Sequence, residues 1–251
     1  MAKQDGIIKL KGTMDGVTFY KTADGYVARK KGGIDKKRLE NHPAFQRTRE
    51  NNAEFARAGL GSKLIRKAIL PLLKNAKDPR VNSRLTKELL AIIKTDTVNG
   101  RGLRTIADGV MEPLEGFNFN GNGKLDSALY SAYALNLDRV AGSLQLQIDA
   151  FTANEYIIAP SGTMHFEIVL GMAELDFNGN AFVFNSNKTA ITPWGAQEVP
   201  AIDMSANVTA DSTLPLLQVM GVNFYQEVNG QMYPLRNGSF NALAVVGIDK
   251  P

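Results

Sequence analysis

The chain has 251 residues, 44% apolar and 22% charged, enough for one large core or two small ones and too apolar for wholesale disorder. It contains no cysteine, which excludes disulfides, thiolate nucleophiles and cysteine-held metals together. The net charge of +4 conceals a division: residues 1–108 carry 24 Lys+Arg against 11 Asp+Glu, a net of +13, and residues 109–251 carry 5 against 14, a net of −9.

The opening "MAKQDGIIKLKG" has no apolar stretch behind its lysine of the kind a secretory signal needs. No apolar run approaches the roughly 18–20 residues of a membrane span. The expectation is a soluble chain made in the cytoplasm, with export by another route or inclusion in a particle left open. "GIIKLKG", "VTFYK" and "YVARK" alternate as strands do, and Asp15 with Gly16 and Asp24 with Gly25 supply the positive φ of hairpin turns. Residues 1–33 are therefore expected to form a β-meander flap with a cationic end. Three short strands rarely hold alone in water, so the flap must pack on its own chain or on a neighbour.

Residues 34–108 read as a basic helical segment. Pro43 suits a first helical turn and Gly59 and Gly61 suit a stop. Leu64, Ile65, Ala68, Ile69, Leu72 and Leu73 recur at one-sided spacing, with Pro71 expected to kink or end that helix. Asp78 is the expected N-cap of a third helix, with Pro79 in its first position and Val81, Leu85, Leu89, Ile92 and Ile93 as its stripe.

From residue 109 the composition changes to alternating runs. "SLQLQIDAF" and "TMHFEIVLG" alternate apolar with other residues, the second setting Phe166, Ile168 and Leu170 against His165, Glu167 and Val169. Asn229 with Gly230 and Asn237 with Gly238 predict two hairpin turns near the end. Residues 109–251 are expected to form an antiparallel β-sandwich of the broad immunoglobulin-like kind, which makes the whole chain α+β.

Little of this carries chemistry. His42 precedes a proline in a turn and His165 lies on the polar face of a strand, and neither shows metal-ligand or triad company. Asn118, Asn120, Asn122, Gly123 and Asp126 fall at calcium-loop spacing, but Leu129 occupies the position that needs a bidentate glutamate, so the segment reads as a turn. "GLGSK" at residues 59–63 offers amides to an anion but lacks phosphate-loop spacing and reads as a helix–helix turn. The chain is accordingly read as no enzyme, with no cofactor, metal or catalytic residue assigned.

The dense cations are the constellation that rises above background: Arg29, Lys30, Lys31, Lys36, Lys37, Arg38, Arg47, Arg49, Arg57, Lys63, Arg66 and Lys67. The leading expectation is a non-enzymatic structural subunit that assembles with copies of itself into a filament, fibre or particle. Its basic N-terminal surface would meet an acidic C-terminal one. The alternative is a nucleic-acid-associated protein holding phosphates through residues 29–67. A third reading is a carbohydrate- or protein-binding module using Trp194 and the loops around "ITPWGAQ".

"GTMDGVTFYKTADGYVARKKGG", "NHPAFQRTRENNAEFARAG" and "FYQEVNGQMYPLRNGSFNALAVV" together resemble a family of uncharacterised hypothetical proteins from Bacteroidota. The resemblance covers both ends and the helical middle. It implies no activity, cofactor or catalytic residue.

Overall fold

The computed structural model of the chain describes residues 2–30, 36–76 and 78–251. It is 27% helical and 36% strand with antiparallel sheets, so the protein is α+β. The chain forms two compact units, Met1–Arg49 and Glu50–Pro251. The composition changes near residues 33 and 108, whereas the division between units falls inside a helix.

In the first unit, β1 (Ala2–Lys3), β2 (Gly12–Met14), β3 (Val17–Thr22) and β4 (Gly25–Lys30) make one antiparallel sheet in the order β1-β4-β3-β2. Met14 pairs with Val17 across a two-residue turn in which Asp15 and Gly16 take φ of 47° and 75°. This is the left-handed geometry that suits the twist of the flanking strands. The next turn is shifted from the expected pair. Thr22 pairs with Gly25, so Ala23 and Asp24 form the loop and Gly25 opens β4 at φ 118°. Residues 31–35, which include Lys31 and the end of the expected flap, lie outside the described residues. α1 (Lys36–Asn41) follows, and His42 caps the single turn Pro43–Phe45 by accepting the Ala44 N–H on Nδ1 at 3.2 Å. None of the described residues of this unit is buried.

The helix α2 (Gln46–Ala68) is continuous, so Gly59 and Gly61 do not stop it. Gly61 is there for close approach instead. A Cβ at that position would overlap the Cδ1 of Ile106, which crosses the helix at that point. The helix ends at Ala68, three residues before Pro71. α3 (Leu70–Leu73) then carries that proline in its first turn, where a missing N–H costs nothing. In α4 (Val81–Thr95) the expected stripe is buried at Leu85, Leu89, Ile92 and Ile93. Asp78 is not its cap. Its carboxylate accepts Arg80 N at 2.6 Å and fixes the turn before the helix, which starts two residues later than expected.

The remaining elements are α5 (Leu125–Ala128), β5 (Tyr133–Asp138), β6 (Ser143–Ile148), β7 (Phe151–Thr152), α6 (Ala153–Tyr156), β8 (His165–Asp176), β9 (Ala181–Lys188), β10 (Thr192–Pro193), β11 (Glu198–Val199), β12 (Ile202–Asn207), β13 (Leu216–Val228), β14 (Gln231–Pro234) and β15 (Ala242–Asp249). β8 and β13 pair along most of their length. β9 and β10 line the outer edge of β8, and β14 and β15 follow one another along the outer edge of β13. β5, β6 and β12 form a three-stranded sheet in the order β12-β6-β5, and β7 pairs with β11.

β8 and β13 are buried on both faces. Phe166, Ile168, Leu170 and Met172 join Leu144, Leu146 and Met204 of the three-stranded sheet in one apolar cluster. Val169, Ala173, Leu175, Leu217 and Val219 point the other way, into a second cluster with Ile65, Leu85, Leu89 and Ile93 of the helices. The expected polar face of β8 is therefore an interior face. A strand covered on both sides by apolar layers loses strict alternation, as Val169 shows. Asn229 and Gly230 form the expected hairpin, at φ 52° and 74° between β13 and β14. Asn237 and Gly238 do not. They lie in the irregular turn Leu235–Gly238, because β14 and β15 share one edge of β13 and must be joined end to end.

Candidate functional site

The cations singled out in the sequence are divided between the two units, Arg29 to Arg49 in the first and Arg57 to Lys67 in the second. Four of them are engaged within the chain. Arg29 stands over the Tyr20 ring at 5.6 Å. Arg49 gives its Nη1 hydrogens to the carbonyls of Leu39 and His42, both at 3.0 Å. Arg57 donates to Gly102 O and Arg104 O, and Arg66 to Asn82 Oδ1 at 3.0 Å. Lys36 makes an exposed pair with Glu40 one turn on, worth little in water. Lys30, Lys37, Arg38, Arg47, Lys63 and Lys67 are exposed, and their side chains make no hydrogen bond or ion pair among the described residues.

The first unit also exposes apolar side chains. Ile7 is fully exposed, Ile8 is 79% exposed and Met14 59%, with Leu10 between them. Ile7, Ile8 and Leu10 lie in the loop between β1 and β2, not in the strand that the alternation of "GIIKLKG" suggests, and only Met14 belongs to the sheet. A cluster of exposed apolar side chains marks a contact surface. Here they share a segment with Lys9 and Lys11.

A second feature was not read from the sequence. Glu167, in the middle of β8, is buried, with its side chain 3% exposed. Its Oε2 accepts Asn223 Nδ2 at 3.1 Å and the Tyr225 hydroxyl at 3.0 Å. Its Oε1 meets Lys188 Nζ, at the end of β9, at 3.0 Å. Register explains the gathering: Asn223 lies directly opposite Glu167, Tyr225 opposite His165, and Lys188 opposite Val169 on the other side of β8. Burial pushes the Tyr225 phenol well above its ordinary range, and the Glu167 charge and hydrogen bond add to it, so the hydroxyl is held as a donor. His165 places Nε2 3.9 Å from Glu227 Oε2, while its buried Nδ1 has no partner among the described residues. The signal available in the sequence was a glutamate inside "HFEIVLGMAEL". A buried carboxylate is costly unless it is paired and hydrogen-bonded, so it implies partners across the sheet.

The asparagine-rich segment at calcium-loop spacing points its side chains at backbone. Asn118 Oδ1 accepts Leu125 N at 2.9 Å, and the fully buried Asn120 donates to Ser239 O and Asn241 O at 2.9 and 2.8 Å. Residues 59–63 lie inside α2, where their amides belong to the helix. Trp194 is half-buried against the apolar cluster between the sheets, and its indole donates to Ile157 O at 3.1 Å, anchoring the loop. Among the described residues, no helix is long and apolar enough to cross a membrane. Compared with family models, curated proteins and solved structures, the chain matches none.

Proposed function

We propose that the protein is a non-enzymatic structural subunit that assembles with copies of itself, its first unit docking on a neighbouring copy. The observation that carries this reading is that a four-stranded sheet is formed without a single buried residue among the described ones, while Met14 at its edge strand and Ile7, Ile8 and Leu10 in the loop between β1 and β2 are exposed. A sheet of this size gains its stability from covering an apolar face. Charge favours a second copy as the cover. Residues 1–49 carry 12 Lys+Arg against 5 Asp+Glu, a net of +7, and residues 50–251 carry 17 against 20, a net of −3. Opposite patches on one chain attract head to tail, and such contacts run on into filaments unless they close into a ring. The subunit so read has a β-meander flap at the front and sheets of residues 109–251 packed as a broad immunoglobulin-like sandwich. The apolar cluster shared by the two sheets supports the second part.

The test is the mass of the full chain and of a chain lacking residues 1–33, by light scattering on a sizing column at low and high salt. Expected is an assembly of the full chain and a folded monomer of the shortened one. Equal masses for the two would sink the proposal. The six exposed cations without partners among the described residues favour the second reading, phosphate binding, which would show as nucleic acid co-purifying and released by salt.

A further inference from the structure

The three-stranded sheet has an open side. β5 pairs with β6 along one edge, and along the other its backbone meets no partner among the described residues. Its residues, Tyr133–Asp138, include neither the proline nor the lysine that often guards an unpaired edge. Beside its Tyr133 end a cleft of about 210 Å³ opens towards β15, lined by Leu125, Leu129 and Val246, with Asp126 the one charged residue in its wall. We propose that this edge is an interaction surface filled by residues 7–11 of a second copy, added as a fourth strand. The proposal rests on the reading of the first unit as the part that docks on a neighbour.

The first unit supplies a segment of matching form. Ile8 and Leu10 alternate with Lys9 and Lys11, so in an extended chain the apolar side chains share one face and the amines the other. Ile8 and Leu10 are exposed, and the main chain of Ile7, Ile8, Lys9 and Lys11 makes no hydrogen bond among the described residues. Leu10 is already held as a strand residue would be. Its N–H goes to Gln4 Oε1 at 2.8 Å and its carbonyl accepts Gln4 Nε2 at 3.3 Å. The Gln4 carboxamide thus occupies one edge of the segment. In an extended chain successive residues direct their backbone groups to opposite sides, which leaves those of Lys9 and Lys11 for a partner strand.

Both faces of the acceptor suit that donor. Leu135 and Leu137 of β5 are half-buried against the apolar cluster between the sheets, and the cleft continues that side past Tyr133. An added strand would lay Ile8 and Leu10 there, in a cleft larger than the roughly 150 Å³ that holds a benzene-sized group. On the solvent side the outward residues of β5, β6 and β12 include Asp138 and Asp203 and no lysine or arginine. Arg139, next in the chain, is tied to Asp249. Lys9 and Lys11 therefore come to an acidic face. Strand addition draws its affinity from main-chain hydrogen bonds and its choice of partner from alternate side chains. The donor copy keeps its own β5 edge free for the next, which makes the contact head to tail.

The experiment mixes two full-length chains under mild oxidation, one with Lys9→Cys and the other with Ala134→Cys, Asn136→Cys or Asp138→Cys in turn. The chain has no cysteine of its own to interfere. All four positions fall on the solvent side of the joined sheet, where facing residues lie close enough to bridge. Expected is a disulfide-linked pair of chains mapping to residue 9 and one of the three. Ile8→Asp with Leu10→Asp, at positions exposed within the first unit itself, should cut the yield about tenfold. Assembly seen by light scattering without any such link overturns this proposal alone and leaves the first unit docking elsewhere. Absence of assembly removes it together with the reading beneath it. A link that forms inside single chains carrying both cysteines, but not between mixed chains, makes the chain's own segment the occupant and overturns it too. So does a yield that the two aspartates leave undiminished.

Discussion

Arg57 gives an Nη1 hydrogen to the carbonyl oxygen of Gly102 at 2.6 Å, and Glu54, a turn earlier on α2, accepts the N–H of the same residue at 2.8 Å. Two side chains of one helix thus satisfy both backbone groups of a single buried glycine held at φ 84°. The guanidinium also reaches Arg104 O at 3.2 Å, so it acts as an internal clamp on the loop after α4.

Replacing Arg57 by alanine therefore acts on folding. The variant is expected to lose about 1–3 kcal/mol in urea unfolding, since buried carbonyls are left without a donor. Lys63→Ala and Lys67→Ala, on the same helix but exposed, should stay within about 0.5 kcal/mol of the parent. Equal effects at all three positions would contradict the clamp.

Asp96, buried at the end of α4, should give stability a pH dependence of its own. Burial opposes its ionisation, but the N–H groups of Val98, Asn99 and Thr105 and the Asn99 amide outweigh that cost and hold the carboxyl far below the usual range. The folded value lies below the unfolded one, about 3.9, so the contribution is fully present above that pH and is lost as pH falls towards the folded value. Asp96→Asn should cost about 1–3 kcal/mol at neutral pH and flatten the acid limb of the curve, because an amide NH2 turned towards one pair of donors cannot accept from them. An unchanged acid limb in unfolding measurements at stepped pH would count against this.

Gly61 and Ile106 should be coupled. Gly61→Ala sets a methyl against Ile106 Cδ1, and overpacking of this kind costs about 1–3 kcal/mol. Ile106→Val removes the obstructing atom, so Gly61→Ala should cost less in that background than alone. Strict additivity in the double-mutant cycle would show that the clash is relieved elsewhere.

Much of the architecture was legible because local chemistry and tertiary packing agree. The stripe of α4, the turn at Asp15 and Gly16 and the hairpin at Asn229 and Gly230 all follow from spacing and φ demands. Reading failed where a distant partner decides. Gly61 resembles a helix stop until Ile106 is known to cross there, and Asn237 with Gly238 resembles a hairpin until β14 and β15 are seen to share an edge. Val169 counted as one of the alternating outward residues because nothing in its own strand says that helices will cover that face. The same limit hid the Glu167 group. Lys188, Glu167 and Asn223 stand far apart in the chain and meet only through strand register, which a one-residue slip would abolish. The cations were visible as charges, but whether a guanidinium such as Arg57 or Arg49 faces solvent or a carbonyl depends on loops that sequence does not place.

β13 has an implication for the order in which the molecule can be made. It is the partner of β8 along one edge and of β14 and β15 along the other, and its two faces contribute to both apolar clusters. Yet it follows every α-helix and most strands in chain order. Until residues 216–228 leave the ribosome, β8 has one edge without a partner and the helices lack most of the surface they cover. Native structure in the second unit must then arrive late and nearly all at once, through pairings of large sequence separation, which are slow and expose strand edges while they wait. A nascent chain stalled before β13 is the species a cell would have to keep from sticking to its neighbours.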